Sequence, residues 1–160
     1  MSDIIGKLAA RKNIGKLCTR LRARRQKIVF TNGVFDILHI GHVRYLRKAK
    51  ALGDVLIIGL NTDKSVKKFK GSGRPLNRQS DRAGVLSALE CVDYIVYFSE
   101  PTPLKLIQLI RPDFLVKGAD YKIKDIVGAD FVKSSGGKVI RIKLSVGRST
   151  TNLIKKIKSL

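Results

Sequence analysis

Residues Thr31–Leu46 read TNGVFDILHIGHVRYL, and they hold both histidines of the 160-residue chain, His39 and His42. Just before them, Lys27–Phe30 (KIVF) is a short β-branched and aromatic run that predicts a strand. Thr31-Asn32-Gly33 ends that strand. Gly33, without a side chain, lets backbone amides come close to an anion. From His42 to Leu52 the apolar residues Val43, Leu46, Ala49 and Leu52 recur at helical spacing, and Gly53 stops the helix. Two histidines three apart at a helix start project on about the same face. A helix N-terminus carries partial positive charge and unpaired amides, which suits phosphate.

The same alternation continues outward. Asp54–Leu60 (DVLIIGL) is a near-continuous apolar run, as a strand buried on both faces requires. A short basic helix is predicted at Asp63–Lys70, a Gly- and Pro-containing loop at Gly71–Leu76, and a helix at Asn77–Leu89. A strand follows at Tyr94–Phe98. Thr102 is expected to cap the next helix with Pro103 in its first turn, running to Ile110. A strand at Phe114–Lys117, a helix at Asp125–Ser134, a strand at Lys138–Ile142 and a helix at Ser149–Ser159 complete the chain. Strands joined by helices predict an α/β fold with a doubly wound, parallel, five-stranded sheet. Such sheets bind ligands at the carboxyl ends of their strands. Residues 1–26 form a lead-in to a domain spanning 27–160. Ile4, Ile5, Leu8, Ile14, Leu17 and Leu21 predict that Asp3–Arg24 is helical, broken near Asn13 and Gly15, and packed on the outside of that domain.

Composition narrows the function classes. No apolar run approaches the ~20 residues that span a bilayer, and the N-terminus shows no secretory pattern. Two cysteines, Cys18 and Cys91, make no disulfide framework and suit a cytoplasmic setting. The net charge of +21 attracts anions of any kind: nucleic acid, acidic membrane or phosphorylated small molecules. Nucleic acid is disfavoured as a partner. Aromatics are 6% with no tryptophan, which leaves little for base stacking, and no zinc-finger, helix-turn-helix or aromatic RNA-binding pattern is present. A metal site built from Asp36, His39 and His42 lacks further histidines or a nearby cysteine, so no protein-held metal is expected.

With HIGH at 39–42 after a first strand, the chain resembles the HxGH nucleotidyltransferase superfamily that includes the cytidylyltransferases. A second element supports the resemblance. Gly147-Arg148-Ser149-Thr150-Thr151 (GRSTT) precedes the last helix, where this superfamily carries its other phosphate-binding signature. Hydroxyls and amides there can cap the helix and meet a triphosphate. Further segments are similar to the adenylyltransferase domain of bacterial ADP-heptose synthesis: GLNTD (59–63), KGSGRP (70–75), DRA (81–83), LECVDY (89–94) and LVKGADY (115–121). That domain is in some species fused to a sugar kinase and in others separate, and no kinase pattern is present in this sequence.

The resemblance implies a Rossmann-like nucleotidyltransferase that moves AMP from ATP to D-glycero-D-manno-heptose 1-phosphate, with Mg²⁺ held mainly through the triphosphate. Small molecules, ATP and a sugar 1-phosphate, are the implied partners, and relatives of this size suggest a homodimer. His39 and His42 would hold the triphosphate and the oxygens of the transition state, with Lys70 (or Lys67 or Lys68) closing over the β and γ phosphates. Thr31, Asn32, Gly33, Phe35 and Gly41 would line the nucleotide and its phosphates. Lys117, Gly118 and Asp120 would border adenine and ribose, and Gly147, Arg148, Ser149, Thr150 and Thr151 the phosphates. Asp36, Asn61, Arg74 and Arg82 would meet the sugar substrate, Arg82 as a phosphate clamp and Asp36 through the sugar or a phosphate-bound Mg²⁺. One departure stands out: many relatives have an acid directly before the glycine of GRSTT, and here it is Val146. A glycerol-3-phosphate cytidylyltransferase or an FAD synthase-like enzyme shares HxGH and the capped last helix; only the intermediate segments separate them.

Overall fold

A computed structural model describes residues 6–143 and 150–159. Five parallel strands, β1 (Ile28–Gly33), β2 (Val55–Asn61), β3 (Tyr94–Phe98), β4 (Phe114–Gly118) and β5 (Lys138–Ile142), lie in the order β3-β2-β1-β4-β5. This is the doubly wound arrangement that the alternating pattern predicts. Its topological switch falls between β1 and β4, where one crossover runs to the left and the next to the right.

The helices are α1 (Ile14–Ala23), α2 (Ile40–Lys50), α3 (Asp63–Lys70), α4 (Gln79–Ser87), α5 (Leu104–Ile110), α6 (Ala129–Ser134) and α7 (Thr150–Lys158). The two-residue side-chain period of each strand splits the core into two layers. Ile28 and Phe30 of β1 and Val55 and Ile57 of β2 pack with α1, α5 and α6 on one face. Val29 of β1 and Leu56, Ile58 and Leu60 of β2 pack with α2 and α4 on the other.

The lead-in differs from its expectation. Among its described residues the α-helix is confined to α1, after a 3₁₀ turn at Arg11–Asn13. At Leu8 the chain instead bridges to Ile95 of the edge strand β3: Ile95 N–H donates to Lys7 O (2.8 Å) and Ala9 N–H to Ile95 O (2.8 Å). Edge strands present unpaired backbone groups, and this pairing satisfies them. Nor does α1 sit outside: Ile14, Cys18 and Leu21 are buried in the core. Burial pushes the Cys18 thiol up to about 11, which keeps it protonated.

Smaller differences have local causes. Pro103 itself occupies the cap position of α5, and no Thr102 side-chain cap forms. The helix expected over Asp125–Ser134 is a 3₁₀ turn at Ile123–Asp125 followed by α6, because Gly128 takes φ 84° between them. A side chain at Gly128 would meet Ile107 at 2.8 Å.

The pairing of β1 is asymmetric. It runs with β2 along its whole length, Ile28 to Gly33, but with β4 only at Val29–Phe114 and Phe30–Leu115. Beyond those pairs β1 and β4 part, at the carboxyl end of the switch point. The crevice that opens there is the site.

Candidate active site

The crevice has two lobes that share Asn32, Gly33, Val34, Phe35, His42, Lys117, Tyr121 and Thr150. The larger, about 580 Å³, extends past Asp36, Asn61, Phe69, Lys70, Arg74, Phe98, Pro101 and Pro103. The smaller, about 260 Å³, extends under α2, past His39, Gly41, Tyr45, Gly118 and Asp120.

The histidines stand where the two lobes meet the start of α2. His39 is the N-cap, and its Nδ1 accepts the Gly41 N–H at 3.1 Å. An Nδ1 that accepts leaves the ring proton on Nε2, where the imidazole is a donor. His42 follows three residues on, with its ring centroid 3.9 Å from that of His39. Burial first, and the neighbouring His39 second, push the His42 pKa down to about 4. Its Nδ1 is buried without a hydrogen-bond partner among the described residues. Phe35 packs against it edge-on, centroids 5.2 Å apart. Phe35 takes φ 49°, a left-handed conformation that non-glycine residues adopt at a cost of about 1 kcal/mol or more. Gly33 makes room for it: a Cβ there would lie 3.1 Å from the Phe35 ring.

Lys117 spans the gap between the parted strands. Continued in the same register, Thr31 and then Asn32 would pair with Val116 and then Lys117. Instead, Lys117 Nζ donates to Asn32 Oδ1 (2.6 Å) and to Asn32 O (3.3 Å). The ammonium also sits 5.7 Å from the centroid of the Tyr121 ring. Burial lowers its pKa to about 8, with Asp120 opposing the shift. On the other side of the crevice, Thr150 Oγ1 donates to Ile37 O at 3.3 Å. This contact seats the start of α7 beside the loop that leads into α2, so two helix N-termini meet the same cleft.

Most of the residues read from the sequence therefore come together: Asn32, Gly33, Phe35, Asp36, His39, Gly41, His42, Asn61, Lys70, Arg74, Lys117, Gly118, Asp120 and Thr150. Gly147, Arg148 and Ser149 lie outside the described residues, as does the side chain of Thr151.

Three residues have other work than the resemblance implies. Thr31 is 1% exposed, and its hydroxyl is bonded to Tyr45 OH at 2.8 Å. Strand alternation puts it on the same face as Val29, beneath α2, rather than in the crevice. Arg82 is 2% exposed, and its guanidinium makes four hydrogen bonds within the protein. Its Nε donates to Asn77 O (3.1 Å), Nη1 to Val34 O (2.6 Å), and Nη2 to Asn61 O and Asp63 Oδ1 (both 2.8 Å). It ties three loops at the strand ends together and is not a clamp for a substrate phosphate. Asp36 is likewise committed. Its Oδ2 accepts from Arg74 Nη1 (2.9 Å), and its Oδ1 accepts the N–H groups of Leu76 (2.8 Å) and Asn77 (3.0 Å). It holds the 74–77 loop, and with it Arg74, at the larger lobe.

Sequence reasoning passed over Tyr121, Phe69, Phe98, Pro101 and Pro103. Tyr121 closes the LVKGADY segment, so a signal was there. Phe69 stands out only as an aromatic residue among lysines, and the other three come from loops and strand ends.

Comparison with known proteins places this geometry. A sequence profile of the cytidylyltransferase-like family matches residues 30–155. Bifunctional protein HldE of Citrifermentans bemidjiense is 54% identical over 140 residues, covering 88% of this chain and 29% of that protein. The protein of the same name in Campylobacter concisus is 59% identical over 134 residues, covering 84% of this chain and 28% of it. The chain thus spans less than a third of the length of these relatives. A crystal structure of a lipopolysaccharide core biosynthesis protein from Thermoplasma volcanium superposes with a TM-score of 0.60 at 28% identity, over 75% of this chain and 97% of that one. Pantoate-beta-alanine ligase from Francisella tularensis, at 21% identity and a TM-score of 0.64 over 96% of this chain and 79% of that one, shares the fold.

Proposed function

The chain belongs to the cytidylyltransferase-like family, and from that premise we propose that it transfers AMP from ATP to D-glycero-D-manno-heptose 1-phosphate, releasing pyrophosphate and ADP-heptose in the cytoplasm. The observation that carries this reading is an identity of more than half to bifunctional HldE proteins over 84–88% of the chain. The segments similar to the ADP-heptose adenylyltransferase domain lie within that match. The two-lobed crevice supports it, with room for a nucleotide in one lobe and a second substrate in the other.

The reaction needs no covalent enzyme intermediate. An oxygen of the sugar phosphate attacks the α-phosphorus, and the bond from that phosphorus to the pyrophosphate oxygen breaks in line. Catalysis is then positioning and charge stabilisation. His39, with its ring proton on Nε2, and His42, aligned by Phe35, meet the phosphates at the start of α2. Lys70 adds charge from the rim of the larger lobe. Lys117 holds Asn32 at the floor of the crevice, beside the ribose side, where Asp120 and Gly118 stand.

Among the described residues no group of three or more His, Cys, Asp or Glu side chains is placed to hold an ion, and both oxygens of Asp36 accept hydrogen bonds from the 74–77 loop. Mg²⁺ enters this proposal as the counter-ion of ATP, liganded by the triphosphate.

The test is a product assay with each nucleoside triphosphate against heptose 1-phosphate of both anomers, glycerol 3-phosphate and FMN. ATP with a heptose 1-phosphate is expected to yield pyrophosphate and ADP-heptose. Turnover of CTP with glycerol 3-phosphate, and none of ATP with heptose 1-phosphate, would overturn the proposal.

A further inference from the structure

The apolar stripe of α3 runs past the core it packs on. Val66 is fully buried, but Phe69, one turn later on nearly the same face, is 56% exposed. There the ring stands in the wall of the larger lobe, beside Lys70 and Arg74 and in the same lobe as Pro101 and Pro103. Ligand clefts are lined mainly by apolar and aromatic side chains, and an aromatic face left open in a cleft wall offers such a surface. Its neighbours say what it binds. Lys70 and Arg74 are cationic, and Arg74 is held in place through its Nη1 by Asp36 (2.9 Å). The smaller lobe, with Tyr45, Gly118 and Asp120, does not contain Phe69.

We propose that Phe69 is a specificity-determining platform for the acceptor. It stacks on the C–H face of a ring-form sugar whose phosphate lies between Lys70 and Arg74. The negative face of an aromatic ring attracts the weakly positive C–H edges of a pyranose, while the guanidinium and ammonium meet the phosphate oxygens. An open-chain acceptor such as glycerol 3-phosphate offers the phosphate but no ring face. The inference rests on the proposed function for the class of acceptor, and it is read at a different place.

Because the chain has no tryptophan, Phe69→Trp puts a single tryptophan on the platform, which can be excited apart from the four tyrosines. Glucose 1-phosphate or heptose 1-phosphate alone is expected to change its emission with saturation. MgATP alone and glycerol 3-phosphate alone are expected to leave it nearly unchanged. In turnover, Phe69→Ala is expected to raise KM for the sugar 1-phosphate about tenfold, while KM for ATP stays within twofold and Phe69→Tyr restores the wild-type value. Since the side chain is exposed, the thermal midpoint is expected to stay put in all three variants.

A reporter that answers to MgATP and not to sugar phosphates, or an Ala variant with an unchanged KM for the sugar, would overturn the inference. If a sugar 1-phosphate other than the heptose is the acceptor, the proposed function fails while the Phe69 effect survives. If the heptose turns over and Phe69→Ala does not matter, the inference fails alone.

Discussion

Replacement of Arg82 separates two roles that one arginine can play. As a substrate clamp, its loss would weaken binding and leave the fold alone. As the buried junction seen here, its loss would strike stability. The guanidinium donates to three backbone carbonyls, of Val34, Asn61 and Asn77, and to the carboxylate of Asp63. Its side chain in that ion pair is 0% exposed. Arg82→Ala strands the acceptors it served, at about 1–3 kcal/mol for each that water does not reach. Asp63 is a third exposed and rehydrates, and the carbonyls stand at strand ends near the crevice, so the lower end of that range applies. The sum is about 3–5 kcal/mol, the usual cost of breaking a buried charged contact. For a domain of this size that lowers the thermal midpoint by roughly 10 °C. Urea unfolding and a thermal scan measure it. Arg82→Lys keeps the charge but not the fork, and is expected to recover less than half of the loss. A chain with Arg82→Ala that melts like wild type, yet shows a sharply raised KM for the sugar phosphate, would refute the junction and restore the clamp.

Three further outcomes follow from the site. His39→Ala and His42→Ala are each expected to lower kcat by about 10²–10³, as loss of a donor to developing negative charge does, with the fold retained by circular dichroism. The part of the stability that His42 controls is expected to fall as pH drops from about 6.5 towards about 4 and to level below it. In that window the unfolded chain binds a proton at His42 that the folded chain, with its pKa near 4, does not; thermal midpoints across pH 7 to 3.5 check this, and His42→Asn removes that part of the decline. Chelation by EDTA is expected to abolish turnover, with recovery on adding Mg²⁺, and to leave the thermal midpoint of the nucleotide-free protein unchanged, because the ion travels with ATP rather than with a protein site.

Much of the fold was legible because its strands are buried on both faces, and runs such as VLIIGL admit few other readings. The two histidines were legible as a pair because three-residue spacing on a helix leaves them little choice of direction. The errors have a common source in contacts between distant parts of the chain. Spacing in the lead-in suggested a helix, but pairing of residues 7–9 with Ile95 wins over that local preference. Arg82 and Asp36 look like ligand-facing charges until their partners, up to 48 and 41 residues away, are in place. Thr31 is different, since strand parity already placed it with Val29 under α2, and its burial could have been read in advance.

The two ends of the sheet explain why the site lies where it does. Asp54, Asp93 and Asp113 each stand immediately before a strand, and each accepts a main-chain N–H from the start of a neighbouring one. Lys27 donates to Asp54 Oδ2 (2.6 Å), Leu56 to Asp93 Oδ2 (2.6 Å) and Ile28 to Asp113 Oδ2 (2.9 Å). At that end the carboxylates satisfy amides that would otherwise begin the ladder unpaired. They also bring β1 and β4 together, since Asp113 bonds to the first residue of β1. At the other end nothing comparable exists between β1 and β4. Their pairing stops after Phe30–Leu115, and two residues further along the Lys117 side chain reaches Asn32 where a ladder bond would stand. A lysine in place of a ladder bond makes a poor sheet and a good crevice, because it leaves a cation and a parted backbone where α2 begins. The sheet is thus fastened at its amino end so that it can stand open at its carboxyl end, where sheets of this kind receive their ligands.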